Sequence, residues 1–183
     1  MDPLIRGMLG AQIPTPKEKG MIMRLFVDSD HAGDKVTRRF RTWYVVFLQN
    51  SPITWFSKKQ SSVETSTFGS EFMAMKTATE YIRGLRYKLP MMGIPIIGPC
   101  LTYGDNNAVV TNSTLPDSVL KKKSNSIAYN FVREGAARDE WRCRYIPTDE
   151  NLSDLCTKPL AFGEKRIKFC QKLLHHIYDT GKH

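Results

Sequence analysis

Three short β-rich runs follow one another in the first third of the chain. They cover Ile22–Val27, Thr42–Leu48 and Ile53–Ser57, and turn-prone or charged segments separate them. β-branched and aromatic side chains are frequent in these runs, as is typical of strands. The pattern predicts three consecutive strands that form an antiparallel meander.

After this meander the hydrophobic period changes from two to about 3.6 residues, which indicates a helix. The change occurs after Ser66 and Thr67, both of which can cap a helix, and the helical pattern continues until Pro90. The apolar residues form one stripe, consisting of Met75, Ala78, Ile82, Leu85 and Leu89. Glu71 lies in the middle of that stripe, where a carboxylate is costly unless it is paired or binds a cation.

Strands and helices alternate in the remainder of the sequence. Leu101–Tyr103 is a short apolar strand that runs directly into Asp105, where an Asp or Asn side chain can cap a helix. The further predicted elements are a helix from Ser124 or Asn125 to about Ala137, a strand Arg142–Ile146, a short helix between Pro147 and Pro159, and a last helix over roughly Phe162–Tyr178. The order of elements predicts an α/β fold with a mixed sheet.

The chain divides into three parts. Residues 1–20 contain three prolines and three glycines, which indicates an irregular arm or linker. Residues 21–160 contain the alternating elements and are predicted to form one domain, and residues 161–183 are predicted to form a C-terminal helical extension. A length of 183 residues fits this arrangement better than two complete domains.

Composition and charge narrow the class of protein. Hydrophobic residues make up 41% of the chain, enough to build a core, but no apolar run approaches the roughly 20 residues that cross a bilayer. The net charge is +9, from 27 basic and 18 acidic residues, so nucleic acid is the first partner to consider and a charge-solubilised surface is the alternative. The four cysteines lack metal-binding spacing and are interpreted as reduced thiols of an intracellular protein.

Four acidic residues occupy similar places, at or near the ends of predicted elements: Asp28, Glu71, Asp105 and Asp154. Carboxylates that converge without internal cations repel one another, and a pair of divalent metal ions relieves this repulsion while activating water for phosphodiester attack. Oxygen ligands favour Mg²⁺ or Mn²⁺ over zinc. Each acid alone is more often a helix cap or a solvated surface group, and that alternative stays open.

Four segments carry a resemblance to a known family. They are LFVDSDHAGD, WFSKKQSSVETSTFGSEFMAMKTA, LTYGDNNAVV and PTDENLSDLCTKPL. In order and spacing they resemble the ribonuclease H domain at the polymerase C-terminus of Ty1/copia-type LTR retrotransposons. The similarity covers about residues 22–160.

The resemblance implies a ribonuclease H fold, with a five-stranded mixed sheet and helices on both faces. It also implies an endonuclease that cleaves the RNA strand of RNA·DNA hybrids with two Mg²⁺ ions, or Mn²⁺ as a substitute. By position, the catalytic metal ligands would be Asp28, Glu71, Asp105 and Asp154. A reverse transcriptase polymerase domain would be a partner, and the location would be the nucleus or cytoplasmic particles.

Basic and polar residues near the predicted cleft are candidates for contacts with phosphate and 2′-OH groups. They comprise Lys58, Lys59, Gln60, Ser62, Thr67, Asn106 and the triplet Lys121, Lys122 and Lys123. An ordinary polar loop and a solvated surface are the alternatives. Trp43, Trp55 and Trp141 are expected in the core. Stacking on bases is the alternative, but the base faces of a duplex are hidden inside it.

The sequence also departs from the family pattern. Gly104 precedes Asp105 where relatives have cysteine. Relatives also have the motifs KKHN and YH, where this chain has Lys123-Ser124-Asn125 and Tyr129-Asn130 and so lacks both histidines. None of these changes removes a predicted metal ligand. The alternative function is therefore a decayed or co-opted nucleic-acid-binding module with the same fold.

Overall fold

A computed structural model describes residues 19–30, 39–60, 66–115, 117, 126–152 and 163–173. The strands are β1 (Met23–Asp30), β2 (Arg41–Leu48), β3 (Ser51–Lys59), β4 (Cys100–Gly104) and β5 (Trp141–Tyr145). The helices are α1 (Thr67–Met91), α2 (Asn107–Thr114), α3 (Ser126–Ala137) and α4 (Glu164–Leu173). The short helix predicted after Pro147 falls mostly outside the described residues, and residues 148–150 form a turn.

The five strands form one mixed sheet with the order β3-β2-β1-β4-β5. β1, β2 and β3 pair antiparallel, which confirms the predicted meander. β4 pairs parallel with both β1 and β5. β3 and β5 are the two edges, and β1 lies at the centre, where its end is next to the end of β4.

The main helix α1 begins and ends where the hydrophobic pattern predicts. Ser66 is its N-cap, and the Ser66 hydroxyl accepts a hydrogen bond from the Gly69 N–H. Pro90 lies in the last turn of the helix. No helix within the described ranges is long and apolar enough to cross a membrane.

The two faces of the sheet differ in what covers them. The α1 face carries the large core, in which strand residues such as Leu25 and Val46 pack with Phe72, Met75 and Ile82 of α1. The back face carries a smaller cluster, consisting of Trp43, Val45, Phe47, Leu152 and Phe169. Because Phe169 belongs to α4, helices lie on both faces, as predicted.

A close approach between α3 and β5 requires glycine at position 135. A Cβ atom on Gly135 would lie 2.0 Å from Cζ2 of the Trp141 indole. The indole N–H of Trp141 donates to the Val132 carbonyl at 3.0 Å, so the ring is held directly under α3. This contact fixes α3 against the sheet at the edge strand β5.

Candidate active site

Three of the four predicted acids line one cleft at an end of the sheet. Asp28 lies near the end of β1 and is 5% exposed, whereas Glu71 of α1 and Asp105 directly after β4 are half-buried. The remaining lining residues carry no positive charge: Val27, Met75, Gly104, Asn106 and Val109. The cleft is therefore acidic, and its donors are oxygen atoms.

Topology explains why these acids meet. Parallel strands run in the same direction, so the ends of β1 and β4 lie at the same edge of the sheet and place Asp28 near Asp105. Glu71 reaches the same place because the first turns of α1 cross this edge.

A chain of hydroxyl groups connects β1 to the first turn of α1. The Ser29 hydroxyl donates to Ser70 Oγ at 3.2 Å, and the Ser70 hydroxyl donates to the Thr67 carbonyl at 2.8 Å. Ser29 and Ser70 are both buried. Since these serines are the sequence neighbours of Asp28 and Glu71, their hydrogen bond fixes the two acids relative to one another.

Local hydrogen bonds assign different roles to Asp105 and Asn106. The Asn106 Oδ1 accepts from the N–H groups of Ala108 at 2.9 Å and Val109 at 3.2 Å, so Asn106 is the N-cap of α2. The carboxylate of Asp105 is therefore not needed as the cap of this helix. Asp28 Oδ1 accepts from the Ser29 N–H at 2.7 Å, which orients its carboxylate.

The departure at Gly104 has a packing consequence. A Cβ atom at this position would lie 3.3 Å from Cε of Met75, one turn after Glu71 in α1. Glycine thus lets α1 lie close to the end of β4. The cleft is narrow because these two elements approach closely between Glu71 and Asp105.

The fourth predicted acid, Asp154, lies outside the described residues. The described segment before it is fixed to the sheet, because the Asn151 side-chain amide donates to the Val27 carbonyl at 3.2 Å and Asn151 is fully buried. Leu152 packs in the back-face cluster. The chain therefore passes beside the end of β1 shortly before Asp154.

The donor chemistry of the cleft fits a hard divalent cation such as Mg²⁺, because carboxylate oxygens line it and no lysine or arginine does. Asp28, Glu71 and Asp105 share the cleft without being gathered around one point. Within the described ranges, no three or more His, Cys, Asp or Glu side chains lie close enough together to hold a metal ion.

The predicted nucleic-acid contacts are only partly described. Lys58 and Lys59 are exposed at the end of β3, and Thr67 is exposed at the start of α1. The Gln60 amide donates to Thr42 Oγ1 at 2.8 Å, which holds the segment after β3 against β2. Ser62, Lys121, Lys122 and Lys123 lie outside the described residues.

Two of the three tryptophans are in the core, as expected, and the third is not. Trp43 and Trp141 are buried, but Trp55 is 72% exposed, so its assignment to the core was wrong. The physical reason is that β3 is an edge strand and Trp55 lies on the side of it that the described helices do not cover. Hydrophobic alternation in β3 does not show which face of the strand a helix will cover.

Asn151 is a residue beside the site that the sequence pattern does not predict. Its amide is buried and binds the main chain directly before Asp28. Asparagine between an acid and an apolar residue is typical of a loop, so the local pattern gives no sign of a contact with β1.

The sequence is similar to parts of long retrotransposon polyproteins. It is 28% identical over 145 residues to the Retrovirus-related Pol polyprotein from transposon RE1 of Arabidopsis thaliana, covering 79% of this chain and 10% of the polyprotein. It is 25% identical over 153 residues to that from transposon TNT 1-94 of Nicotiana tabacum, covering 84% of this chain and 11% of the polyprotein. The chain thus spans about a tenth of the length of these curated relatives. No protein-family model matches the chain.

The fold is similar to solved ribonuclease H structures. LC11-RNase H1 in complex with an RNA/DNA hybrid matches with a TM-score of 0.57 and 13% identity, over 73% of this chain and 92% of that one. RNase H1 from Halobacterium salinarum NRC-1 matches with a TM-score of 0.54 and 12% identity, over 75% of this chain and 94% of that one. The chain therefore has a ribonuclease H-like fold, and its resemblance to the ribonuclease H part of copia-type retrotransposon Pol polyproteins is confirmed.

Proposed function

We propose that this protein is a metal-dependent endonuclease that cleaves the RNA strand of RNA·DNA hybrids. The observation that carries the proposal is that Asp28, Glu71 and Asp105 line one cleft of a ribonuclease H-like fold. The sequence pattern independently selects the same three carboxylates as candidate metal ligands. The sequence relatives, which are Pol polyproteins, support the same class of enzyme.

The four acids Asp28, Glu71, Asp105 and Asp154 would hold two Mg²⁺ ions, or Mn²⁺ in their place. When bound, such ions supply an activated water and stabilise the departing 3′ oxygen. The chain itself positions the ligands. The Ser29–Ser70 hydrogen bond fixes Asp28 against Glu71, and Asn151 brings the segment that leads to Asp154 to the end of β1.

Hybrid recognition is proposed to use the exposed polar residues beside the cleft. In this proposal Lys58, Lys59 and Thr67 contact the phosphate backbone and the 2′-OH groups. Such contacts do not read the bases, so affinity should depend on the shape of the duplex and not on its base sequence. Because the chain spans about a tenth of its Pol relatives, we also propose a reverse transcriptase polymerase domain as the partner that supplies the hybrid.

Cleavage of a labelled RNA·DNA hybrid tests the proposal directly. We expect cleavage with Mg²⁺ or Mn²⁺, none in EDTA, and none by Asp28→Asn, because asparagine keeps the shape but removes the charge that holds the ions. Asp139→Asn is the matched control, since Asp139 is an exposed acid outside the cleft and should leave cleavage unchanged. Equal cleavage in EDTA, or full activity of Asp28→Asn, would contradict the proposed function.

A second candidate is a non-catalytic module that binds nucleic acid. It is favoured by the absence, within the described ranges, of three acids gathered around one point. Hybrid binding in EDTA without cleavage in Mg²⁺ would support this module and exclude the enzyme.

Thermal stability with and without metal separates the two candidates independently of turnover. If the acids form a metal site, like-charge repulsion destabilises the metal-free protein, so Asp105→Asn should raise the melting temperature in EDTA. Mg²⁺ at several times its Kd should stabilise the parent by about 1 kcal/mol and stabilise the variant less. A parent that gains nothing from Mg²⁺, with a variant that melts lower in EDTA, would support the binding module.

A further inference from the structure

An unusually exposed indole lies on the edge strand β3. The Trp55 side chain is 72% exposed, and Ile53, two residues before it in β3, is 40% exposed. Among the residues that the structure describes, no aromatic ring or cation stacks on Trp55. A large, accessible aromatic face at the margin of a sheet is the kind of surface that recognises another flat ring.

Cationic and polar groups surround this indole. Strand pairing places Trp55 beside Val45, Ser57 beside Trp43, and Lys59 beside Arg41, so Trp55, Ser57, Lys59 and Arg41 share the back face. Arg41 Nη1 donates to Ser57 Oγ at 3.4 Å, which holds its guanidinium beside Ser57, two residues from Trp55 in β3. We call Arg41, Trp55, Ser57 and Lys59 the Trp55 patch.

The charge of the Trp55 patch is positive. Arg41 and Lys59 are both exposed, and neither β2 nor β3 contains an acidic residue. The nearest strand acid is Asp30 of β1, which pairs with Arg41. Both basic side chains are solvent-accessible, so an anionic ligand meets positive charge beside the apolar face of the indole.

The Trp55 patch is close to the acidic cleft, and Lys59 is common to the patch and to the proposed hybrid contacts. Asp28, Trp43 and Ser57 form one row across the sheet, and Trp55 lies in the next row on β3. With strands about 4.8 Å apart and a rise of about 3.3 Å per residue, Trp55 lies about 12 Å from Asp28. The Trp55 indole itself is not part of the cleft lining, so its contribution to binding can be measured separately from cleavage.

We propose that the Trp55 patch binds single-stranded nucleic acid, with a base stacked on the Trp55 indole and phosphates against Arg41 and Lys59. Aromatic stacking combined with a cationic surface is the physical basis of sequence-tolerant binding to single strands. A duplex cannot stack a base on the Trp55 indole, because the base faces of a duplex are already stacked on one another. A protein partner would need acidic side chains opposite Arg41 and Lys59, whereas a nucleic acid strand carries a phosphate at every nucleotide.

The test is equilibrium binding of a labelled oligo(dT) of about 12 nucleotides in EDTA, so that cleavage plays no part. Trp55→Ala should weaken binding about 5- to 100-fold, while Trp55→Phe should retain most of it because a stacking ring remains. Ile127→Ala is the matched control, since Ile127 is 81% exposed on α3 and its loss should not change binding. Melting temperatures of all variants should equal that of the parent, because both side chains are on the surface.

A spectroscopic measurement identifies the contact. Trp43 and Trp141 are buried, so quenching of tryptophan fluorescence by the oligonucleotide should come from Trp55 and should disappear in Trp55→Phe. Arg41→Ala and Lys59→Ala should each reduce the slope of log affinity against log salt by about 1. Binding of blunt duplex DNA should be the same for Trp55→Ala and the parent.

Three results would overturn the proposal. The first is unchanged oligonucleotide affinity in Trp55→Ala, and the second is an equal loss of affinity for single-stranded and duplex DNA. The third is concentration-dependent self-association that Trp55→Ala abolishes without changing oligonucleotide affinity, which would make the patch a protein interface. Because these measurements are made without metal, they are independent of whether the acidic cleft cleaves hybrids.

Discussion

The two faces of the sheet are packed to different degrees. On the α1 face, Phe72 and Ile82 are completely buried in an extensive core that reaches from β2 to β5. On the back face, Trp43 packs in a small cluster with α4, and its indole N–H is buried without a hydrogen-bond partner in the described part of the chain. An unsatisfied buried donor costs about 1–3 kcal/mol, which lowers the contribution of the small back-face cluster to stability.

The acidic cleft depends on both faces at once. Glu71 comes from α1, whereas strand pairing places Asp28 beside Trp43 on the back face. Asn151, which fixes the segment before Asp154, also lies at the back-face end of the sheet. The large core on the α1 face therefore contributes most of the stability, whereas alignment of the acids also requires the smaller back-face cluster.

The largest expected effect is on the free energy of unfolding when an α1-face ring is removed. Phe72→Ala should cost about 4–5 kcal/mol, because Phe72 is fully buried and packs against Phe68 and Tyr129. Phe169→Ala on the back face should cost about 3 kcal/mol, because its cluster is smaller and can relax. Urea denaturation measures both values, and a larger loss for Phe169→Ala would reverse the comparison.

A smaller effect is expected from Asn151→Ala, which removes the buried hydrogen bond to Val27. The free energy of unfolding should fall by about 1–3 kcal/mol, since the Val27 carbonyl loses its side-chain donor. Hybrid cleavage should fall further than stability explains, because the segment before Asp154 is no longer fixed beside Asp28. Asn130→Ala, at an exposed position of α3, is the control and should change neither property. Full cleavage activity of Asn151→Ala, measured at a temperature at which the variant is folded, would show that this contact does not align the site.

The smallest effect concerns the thiols. Burial raises the pKa of Cys100 and Cys143 on the α1 face from 9.0 to about 12, whereas Cys170 of α4 is half-buried. Cys170→Ser should therefore lower the number of thiols that react with a disulfide reagent in the native protein, and Cys100→Ser should not. An equal decrease in both variants would mean that the α1 face opens as readily as the back face.

The same raised pKa values determine the sign of a pH effect. Between pH 9 and about pH 12 the unfolded chain loses the Cys100 and Cys143 thiol protons that the folded protein keeps. Stability from these groups is therefore complete below pH 9 and is lost as the pH rises through this window. Urea midpoints measured from pH 8 upward should decrease less in the Cys100→Ser variant than in the parent.

Local signals made part of this molecule predictable. The period of α1 and the cap at Ser66 depend on neighbours within a few residues, and both are as predicted. The shared cleft of Asp28, Glu71 and Asp105 was also predictable, because strand ends and helix starts meet at one edge of an α/β sheet. Such features follow from sequence order alone.

Long-range contacts account for what the sequence did not show. The exposure of Trp55 depends on the position of β3 at the edge and on how far α4 extends over the back face. The role of Asn151 depends on a carbonyl 124 residues earlier in the chain. The pattern of hydrophobic and polar residues does not show which strand lies at the edge of the sheet or which distant segments touch. These features therefore appear only in the assembled fold.

The crossover from β1 to β4 has a consequence for the speed of folding. Arg24 pairs with Leu101, and β2, β3 and α1 all lie between them in sequence. Contacts between distant parts of the chain form late because ordering the intervening loop is entropically costly. Asp28 and Asp105 therefore become neighbours only when this long-range pairing forms, so local structure alone cannot assemble the cleft.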